Sequence, residues 1–381
     1  MNEYSLAKVQ YYYLVMKKIL VVGQTPPPYG GQAMMIQYML DGEYEKAEMY
    51  HVRMCFSREF NDRGKFSIYK VMHIFTVIWN VWKLRFGKGI HTMYYPVSSA
   101  PKVALLRDAI ILMCTRWLFK EVVYHFHAAG VSEELPKYPQ PLQGLVYWIL
   151  KKPELAITSS EHNPQDADYL KAKKVEVIPL GIPDSNKEEV RRAYGANNYL
   201  TVMFMGLLNG TKGEGYVLEA VNMLNKKGYD VRFEFAGKFE NEEYKGEFFT
   251  KVNEYGLHDK VKYNGIVTGD DKKRMFLDAD VFCFPSFFNS ESFGIVLLEG
   301  MMYQMPLIAS KWRGIQSVVE EGKNGFLVDI KNSEQIAEAL TILYDNRSLL
   351  EKMAKESRQM FVEKYVLGKY LQNMENAMVY I

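Results

Sequence analysis

Short apolar runs alternate with longer stretches of helical periodicity along almost the whole chain. Runs such as VMFMG and FEFAG are continuously apolar, which is typical of parallel strands covered on both faces. Between such runs, segment 213–228 repeats apolar residues at helical spacing and ends in Gly. This alternation predicts an α/β protein with doubly wound parallel sheets. The predicted strands are 17–23, 90–96, 121–127, 154–160 and 174–180, then 199–206, 230–237, 260–266, 279–285, 306–310 and 325–329.

The strand series is interrupted at the turn-rich segment 181–189, which reads GIPDSNKEE. A chain of 381 residues also exceeds what one hydrophobic core usually organises. Both observations predict two Rossmann-like domains, at 16–185 and 186–365. The last segment, 366–381, has an amphipathic pattern, and we expect a helix that packs back on the N-terminal domain. The polar, tyrosine-rich residues 1–15 are expected to be a disordered leader.

Composition is ordinary for a folded protein, with 48% hydrophobic and 24% charged residues. The three cysteines are far apart, so their spacing predicts neither a disulfide framework nor a metal site. No signal-peptide pattern is visible, and no stretch approaches the roughly 18 apolar residues of a transmembrane helix. These features favour a cytoplasmic location.

The candidate binding residues follow predicted strands, where open parallel sheets bind their ligands. The segment ESFGIVLLE, from Glu291 to Glu299, follows the strand ADVFCFPS and opens a helix. Amides near Phe293 and Gly294 would face a ligand with the positive end of the helix dipole, which suits phosphate oxygens. Glu291 is placed to accept hydrogen bonds from sugar hydroxyls, and Glu299 from a nucleotide ribose. The alternative is an ordinary amphipathic helix bracketed by two glutamates.

Two glycine-rich loops also follow strands. The loop GLLNGTKGEG begins at Gly206 and carries Lys212 near a helix start, an arrangement that can hold a diphosphate. The loop QTPPPYGGQA contains Gly30 and Gly31, which let the backbone approach a ligand closely. The first loop lacks the P-loop pattern, and the second does not match the dinucleotide-binding pattern G-x-G-x-x-G. A solvated lysine in a common glycine turn, and a purely structural turn, are the alternatives.

Two histidines and two aspartates form further candidate patterns next to predicted strands. In YHFHAAG, strand alternation places His125 and His127 on one face, with His127 closest to the loop and to a substrate hydroxyl or phosphate. A satisfied structural histidine is the alternative. Asp278 and Asp280 have the D-x-D form of a divalent-cation site, but they precede a strand rather than close one. We interpret them as a helix-to-strand turn, so no metal site is predicted.

With these residues, the chain resembles the retaining GT-B glycosyltransferases usually called family 4, over nearly all of residues 16–365. The resemblance is densest from Val261 to Val328, where YNGIVTGDD, DADVFCFPS, ESFGIVLLE, MPLIAS and EEGKNGFLV follow in the family's order and spacing. It implies the GT-B fold, in which two Rossmann-like domains face a cleft. It also implies transfer of a hexose-like unit from a nucleotide diphosphate sugar to a hydroxyl, with retention. No metal is implied, and no cofactor besides that co-substrate.

The resemblance also implies residue roles. Glu299 is similar to the ribose-binding glutamate, and Glu291 to the residue that contacts the donor sugar. Lys212 is similar to the lysine that neutralises the leaving diphosphate, and His127 to a histidine near the sugar. The loop at 30–31 would close over the donor. The implied catalytic residues are His127, Lys212 and Glu291, and the implied donor-binding residues are Gly30, Gly31, Gly206, Lys212, Glu291, Phe293, Gly294 and Glu299.

One position departs from the family's pattern. The family commonly has Arg after the strand glycine, where this chain has Leu207. One of two expected positive charges on the diphosphate is therefore absent. Lys238, after the strand FEFAG, and Arg313, in KWRGIQ, are the candidate substitutes.

The segment from Arg63 to Lys120 holds ten basic residues and a single acid, Asp108, interleaved with aromatic residues. An anionic membrane surface is one partner that this pattern fits. The alternative is a buried helix pair with solvated Lys and Arg at its ends. Nucleic acid is not expected, because the net excess is modest and no recognition motif appears.

The sequence thus predicts a glycosyltransferase that acts on a saccharide or lipid-linked acceptor, in bacterial surface polysaccharide or glycolipid assembly. Its location would be cytoplasmic or peripheral at the inner face of the plasma membrane. A catalytically silent sugar-nucleotide-binding or scaffold protein is the main alternative because of Leu207. A sugar-nucleotide epimerase of similar fold is a second alternative.

Overall fold

The computed structural model describes residues 16–56, 68–99, 102–187, 194 and 197–381. The predicted leader, 1–15, lies outside the described residues. The chain folds into two compact units. One comprises the described residues up to Leu180 together with Leu367–Ile381, and the other comprises Gly181–Val366. These divisions lie five residues and one residue from the predicted boundaries at 185 and 365.

The first unit is built on a six-stranded parallel sheet in the order β2-β1-β3-β4-β5-β6. Its central strands are continuously buried, as their apolar runs predict; Ile19, Leu20 and Val21 are completely inaccessible. The strands are β1 (Lys17–Gly23), β2 (Ala47–Arg53), β3 (Thr92–Tyr95), β4 (Glu121–Phe126), β5 (Leu155–Thr158) and β6 (Lys174–Val177). The helices are α1 (Gly31–Leu40), α2 (Ile68–Gly87), α3 (Lys102–Thr115), α4 (Val131–Glu134), α5 (Gln140–Leu150) and α6 (Asp166–Tyr169), with 3-10 turns at Arg116–Leu118 and Leu135–Lys137.

Strand β2 was missed in the sequence. It pairs with β1 in parallel, with Tyr50 opposite Leu20, and it forms the edge of the sheet. Only Ala47 and Val52 are buried in it. An edge strand with one buried residue near each end shows neither an apolar run nor clear alternation, so its sequence, AEMYHVR, carries no strand signal.

The second unit repeats the architecture, with a parallel sheet in the order β12-β11-β10-β7-β8-β9. All eleven strands predicted from the sequence are confirmed; β1 has the predicted bounds, and the other ten are shorter than predicted. The strands are β7 (Leu200–Met205), β8 (Val231–Ala236), β9 (Val261–Tyr263), β10 (Val281–Phe284), β11 (Leu307–Ser310) and β12 (Gly325–Val328). The helices are α7 (Glu214–Lys226), α8 (Glu242–Glu254), α9 (Gly269–Asp278), α10 (Ile295–Met302), α11 (Ser333–Asp345) and α12 (Arg347–Met360), with a 3-10 turn at Arg313–Ser317 and a π-helical turn at Phe361–Tyr365.

In each sheet the strand order reverses next to the first strand of the unit. Strand β1 lies between β2 and β3, and β7 lies between β8 and β10. Parallel sheets bind ligands at such switch points, beyond the carboxyl ends of the strands. The loops after β7 and β10 therefore form the expected binding edge of the second unit, and the loop after β1 forms that of the first.

The chain leaves the second unit beside the place where it entered. The amide of Ile182 donates to the carbonyl of Tyr365 at 2.9 Å, and Arg358 makes a two-pronged ion pair with Asp184 at 2.9 and 3.0 Å. The last helix, α13 (Leu367–Val379), then belongs to the first unit.

Helix α13 is held to the first unit by polar contacts near its carboxyl end. The Glu375 carboxylate accepts from the amide of Lys46 at 2.6 Å, and the Lys17 ammonium donates to the carbonyl of Val379 at 3.3 Å. Across the described ranges, no helix is long and apolar enough to cross a membrane.

Candidate functional site

The loops after β7 and β10 touch through their backbones. The amide of Phe287 donates to the carbonyl of Thr211 at 2.9 Å. Gly213, with φ at +93°, precedes helix α7, and a Cβ on it would lie 2.4 Å from the carbonyl oxygen of Pro285. Only glycine fits this left-handed, crowded position. The close approach brings together two loops that are more than seventy residues apart in the sequence.

Lys212 and Glu291 meet where these loops touch. The Lys212 ammonium lies 2.6 Å from a carboxylate oxygen of Glu291, and the side chains are 15% and 13% exposed. The ammonium also lies 4.4 Å from the ring centroid of Phe288. The structure thus joins two residues that the sequence suggested separately, in a partly buried ion pair at the sheet's switch point.

Helix α10 begins directly behind this pair. Gly294 caps it in the left-handed conformation, with φ at +76°, and the helix starts at Ile295. The side chain of Phe293 is 1% exposed and its ring lies 6.0 Å from that of Tyr365, so only the Phe293 backbone is available to a ligand. The first amides of a helix have no intrahelical acceptor, and they suit anionic oxygens.

Glu299 lies inside α10 and has a basic partner that the sequence did not reveal. The Lys272 ammonium, from α9, lies 2.5 Å from a carboxylate oxygen of Glu299. These side chains are 32% and 21% exposed, so the pair is reachable from solvent. Lys272 lies within the charged run DDKKR, which is typical of a solvated helix face, and no spacing relates it to Glu299.

Gly206 follows β7 and lies against a second glycine, Gly237, which follows β8. Gly237 has φ at +142°, and a Cβ there would lie 1.7 Å from the carbonyl oxygen of Gly206. Gly206 itself has ordinary space around it, with the nearest side-chain atoms 3.5 Å from a built Cβ. Its closeness to Gly237 keeps the two strand ends in contact, and the loop carrying Lys212 starts from this point.

The two candidate substitutes for the missing arginine follow strands β8 and β11 of the same sheet. Lys238 follows β8, and its carbonyl accepts from the amide of Leu208 at 3.0 Å. Arg313 follows β11, is 8% exposed, and its guanidinium lies 5.3 Å from the ring of Trp312. Strands β8 and β11 are the outer neighbours of β7 and β10. Both residues are therefore at the binding edge, and a role on the diphosphate stays a prediction for each.

The D-x-D sequence lies at the opposite edge of the sheet. Asp278 ends α9, and Asp280 exchanges two hydrogen bonds with the backbone of Thr201 at the amino end of β7. Asp280 thus fixes a helix-to-strand turn. Within the portion of the chain that the structure describes, no three His, Cys, Asp or Glu side chains are grouped so that they could hold a metal ion.

In the first unit, the loop after β1 is held by an arginine from the missed strand. Arg53 donates to the carbonyls of Thr25, Pro26 and Pro27 at 3.2, 2.9 and 3.0 Å. Gly31 starts α1, and Gly30 precedes it with φ at −172°, an extended conformation that any residue adopts. Positive φ is therefore not what requires glycine at position 30.

His127 belongs to a buried network at the end of β4. The ring of His127 stacks on that of His125, with centroids 3.7 Å apart, which confirms that both lie on one face. The hydroxyl of Tyr94, from β3, lies 2.8 Å from Nδ1 of His125 and 2.9 Å from Nε2 of His127. Because that hydroxyl has one proton, it donates to one ring and accepts from the other, so the tautomers of the two rings are coupled.

Desolvation keeps this network uncharged. It lowers the pKa of His127 to about 3, and it lowers the pKa of His125 well below its ordinary value, with His127 adding to the effect. His127 is therefore neutral at physiological pH and acts as a hydrogen-bonding group rather than a charge. Tyr94 was missed because the buried strand TMYY carries no sign of chemistry.

Two parallel six-stranded sheets with helices on their faces define the GT-B glycosyltransferase fold. Anabaena HepE, solved in complex with UDP and with UDP-glucose, superimposes with a TM-score of 0.71, covering 96% of this chain and 100% of its own at 18% identity. Residues 186–360 match the model of the family described as glycosyl transferases group 1, and this segment belongs to that family. The predicted GT-B fold is thereby confirmed, and the group 1 match is compatible with the predicted family.

Two curated glycosyltransferases are similar to part of this chain. Alpha-D-kanosaminyltransferase of Streptomyces kanamyceticus is 28% identical over 185 residues, which is 49% of this chain and 47% of that protein. Phosphatidyl-myo-inositol mannosyltransferase of Mycobacterium leprae is 31% identical over 153 residues, or 40% and 39% of the two chains. The matches thus span about half the length of these relatives or less.

Proposed function

We propose that this chain transfers a hexose-like unit from a nucleotide diphosphate sugar to a hydroxyl acceptor, with retained anomeric configuration. The observation that carries the proposal is the Lys212–Glu291 pair, 2.6 Å apart, at the start of the helix that carries Glu299. One cation, free helix amides and two carboxylates there match the phosphates and hydroxyls of such a donor. The group 1 family of residues 186–360 supports it.

In the reaction, the bond between the anomeric carbon and the diphosphate oxygen breaks, and a bond from the acceptor oxygen to that carbon forms. Negative charge grows on the departing diphosphate, where Lys212 and the first amides of α10 stabilise it. The acceptor proton passes to an oxygen of the leaving phosphate. The mechanism assigns no protein nucleophile and no metal.

Donor binding would rearrange the ion pair. A diphosphate brought to Lys212 competes with Glu291 for the same ammonium, since both are anions. Glu291, released from its partner, can accept hydrogen bonds from sugar hydroxyls, because an ionised carboxylate only accepts. Glu299 is the fifth residue of α10 and lies about 6 Å along the helix axis from its first residue, Ile295. There it would accept hydrogen bonds from the ribose hydroxyls.

The acceptor is proposed to be a saccharide or a lipid-linked hydroxyl at the inner face of the plasma membrane, in bacterial surface polysaccharide or glycolipid assembly. The name of the mycobacterial relative, a phosphatidyl-myo-inositol mannosyltransferase, supports a lipid acceptor. The chain would then be cytoplasmic and associate with the membrane peripherally.

Leu207 favours a second candidate, a sugar-nucleotide-binding protein without turnover, because a positive charge expected on the diphosphate is missing there. The two candidates, and an epimerase, are separated by one panel experiment. Thermal unfolding is measured with a set of nucleotide sugars, including UDP-glucose, since a ligand that binds only the folded state raises the Tm. Each hit is then tested for nucleotide release with and without saccharide and lipid-linked acceptors.

Acceptor-dependent nucleotide release with α-linked product from an α-linked donor supports the proposed transfer. Binding without release across the panel supports the silent protein. Conversion of the sugar without nucleotide transfer supports the epimerase. A chain that binds no nucleotide sugar contradicts all three.

A further inference from the structure

Helix α2 exposes an apolar stripe on the side turned away from the sheet. Val77, Ile78 and Val81 are its buried residues. Its outer apolar residues recur every three or four positions, so they fall in one line along the helix. They are Ile68, Met72, Phe75, Trp79, Trp82 and Phe86, with exposed fractions between 41% and 75%. These exposures contradict the buried helix pair considered for the segment from Arg63 to Lys120.

The stripe continues onto the neighbouring helices. The indole of Trp82 donates to the carbonyl of Cys114, at the end of α3, at 3.0 Å. Trp117, just after α3, lies 5.0 Å from Trp148 on α5, measured between ring centroids. Further exposed apolar side chains on α3 and α5 are Val103, Ile110, Met113 and Leu145. We call the surface formed by these residues and the α2 stripe the aromatic face; it carries four of the chain's five tryptophans.

The charges in the segment that carries α2 and α3 are almost all positive. Between Ile68 and Lys120, the described residues include eight Lys or Arg and one acid, Asp108. Asp108 is fully buried and lies 2.6 Å from Arg107, so it presents no negative charge outward. Exposed lysines border the face, among them Lys83 and Lys88. The surface is therefore apolar with a positive margin.

We propose that the aromatic face docks on the surface of an anionic lipid bilayer. Tryptophan and phenylalanine side chains settle at the boundary between headgroups and acyl chains, and lysines around them meet anionic headgroups. A second copy of this chain is disfavoured as occupant, because two such faces would bring their positive margins together. The proposal deepens the proposed function, on which its purpose rests, by placing the chain where a lipid-linked acceptor is found.

The test is vesicle sedimentation of the full chain, with tryptophan emission read in parallel. Vesicles of phosphatidylcholine with roughly one third phosphatidylglycerol are compared with pure phosphatidylcholine at low salt. Because one lysine near an anionic surface contributes about fivefold in binding, several should give at least a tenfold preference for the anionic vesicles. About 0.5 M NaCl should weaken it strongly, and bound protein should show blue-shifted emission.

Two variant pairs locate the contact. Trp79→Ser with Phe86→Ser, both 66% exposed in the wild type, should lower binding to anionic vesicles at least tenfold. The matched control, Ile342→Ser with Val362→Ser, removes exposed apolar side chains from the other unit and should leave binding unchanged.

Charge is tested separately. Lys83→Glu with Lys88→Glu should reduce binding to anionic vesicles by more than tenfold, since each change removes a cation and adds an anion. The matched pair Lys227→Glu with Lys352→Glu, at exposed positions of the second unit, should not.

Several results overturn the proposal. The first is that the wild-type chain does not sediment with anionic vesicles at low salt. The second is that both apolar variant pairs lose vesicle binding equally. The third is that the wild-type chain is a dimer and the Trp79→Ser and Phe86→Ser pair converts it to a monomer. The Tm response to nucleotide sugars, measured without vesicles, is independent of these outcomes. Vesicle binding without a Tm response to any nucleotide sugar would refute the proposed function but support the docking surface. A Tm response without vesicle binding would refute the docking surface but not the proposed function.

Discussion

Replacing Lys212 with methionine removes the one ammonium that the structure places within 2.6 Å of Glu291 while keeping a side chain of similar length. Under the proposed mechanism, Lys212 stabilises charge that develops on the leaving diphosphate. The substitution should therefore lower kcat more than it raises the donor KM, because the interaction strengthens as the bond breaks.

The size of the effect follows from the environment of the pair. The two side chains are 15% and 13% exposed, so the ammonium acts in a partly desolvated site. Loss of one preorganised electrostatic contact to a developing anion typically reduces kcat by about 10²–10³. The variant also leaves the Glu291 carboxylate partly buried without its lysine, which should cost about 1–3 kcal/mol of stability.

Two measurements separate these effects. Acceptor-dependent nucleotide release gives kcat and KM, and urea unfolding gives the free energy of unfolding. Lys212→Met combined with Glu291→Gln should recover stability relative to Lys212→Met alone, because no buried charge is then left unpaired. It should not recover kcat. Lys227→Met, at an exposed lysine of the same unit, is the matched control.

A Lys212→Met enzyme with kcat within threefold of wild type would refute the catalytic role of this lysine. If kcat falls but the double variant restores it, the loss came from the stranded Glu291 carboxylate. That outcome would assign Lys212 a structural role alone.

Three further predictions concern other parts of the site. Lys272→Met should raise the donor KM about fivefold to tenfold and leave kcat within twofold of wild type, because its partner Glu299 would bind the ribose equally in the ground state and the transition state. An unchanged donor KM would contradict this role. Gly237→Ala should lower the free energy of unfolding by at least about 3 kcal/mol, because its Cβ would lie 1.7 Å from the carbonyl oxygen of Gly206. The control Gly246→Ala, on a helix where a Cβ meets open space, should be neutral or stabilising by up to about 1 kcal/mol. His127, whose pKa is lowered to about 3, stays neutral in the folded state as pH falls below 6.5, while the unfolded chain takes up a proton. As the pH is lowered from about 6 to about 4, the free energy of unfolding of the wild type should therefore fall by about 1.4 kcal/mol per pH unit more than that of His127→Gln, as measured by urea unfolding. Parallel plots of unfolding free energy against pH for the two proteins would contradict the desolvation of this ring.

Local pattern was sufficient for most of the framework. Buried parallel strands are continuous apolar runs and need no knowledge of their neighbours, so all eleven predicted strands are present. The one missed strand, β2, is an edge with only Ala47 and Val52 buried. Its formation depends on pairing with β1, which is a tertiary interaction and leaves little trace in its own residues.

For the site, the sequence alone determined which chemical groups were available after each strand: Lys212, Glu291, Gly294, Glu299 and His127. Spacing along the chain could relate Glu291 to Glu299, because Glu291 shortly precedes the helix that contains Glu299. It could not show that Lys212 pairs with Glu291, since their contact depends on β7 lying beside β10 and on two loops touching at Gly213.

The same limit explains Lys272, Tyr94 and the aromatic face. Lys272 and Tyr94 reach their partners across strand neighbours or between helices, and no periodicity in one segment encodes such a contact. An apolar stripe on α2 reads identically in the sequence whether it faces the core or solvent. Sequence thus determined the elements and their chemistry, while the tertiary structure decided which groups meet and which apolar side chains stay exposed. The physical reason is that local pattern depends on neighbours in the chain, whereas ion pairs and burial depend on neighbours in space.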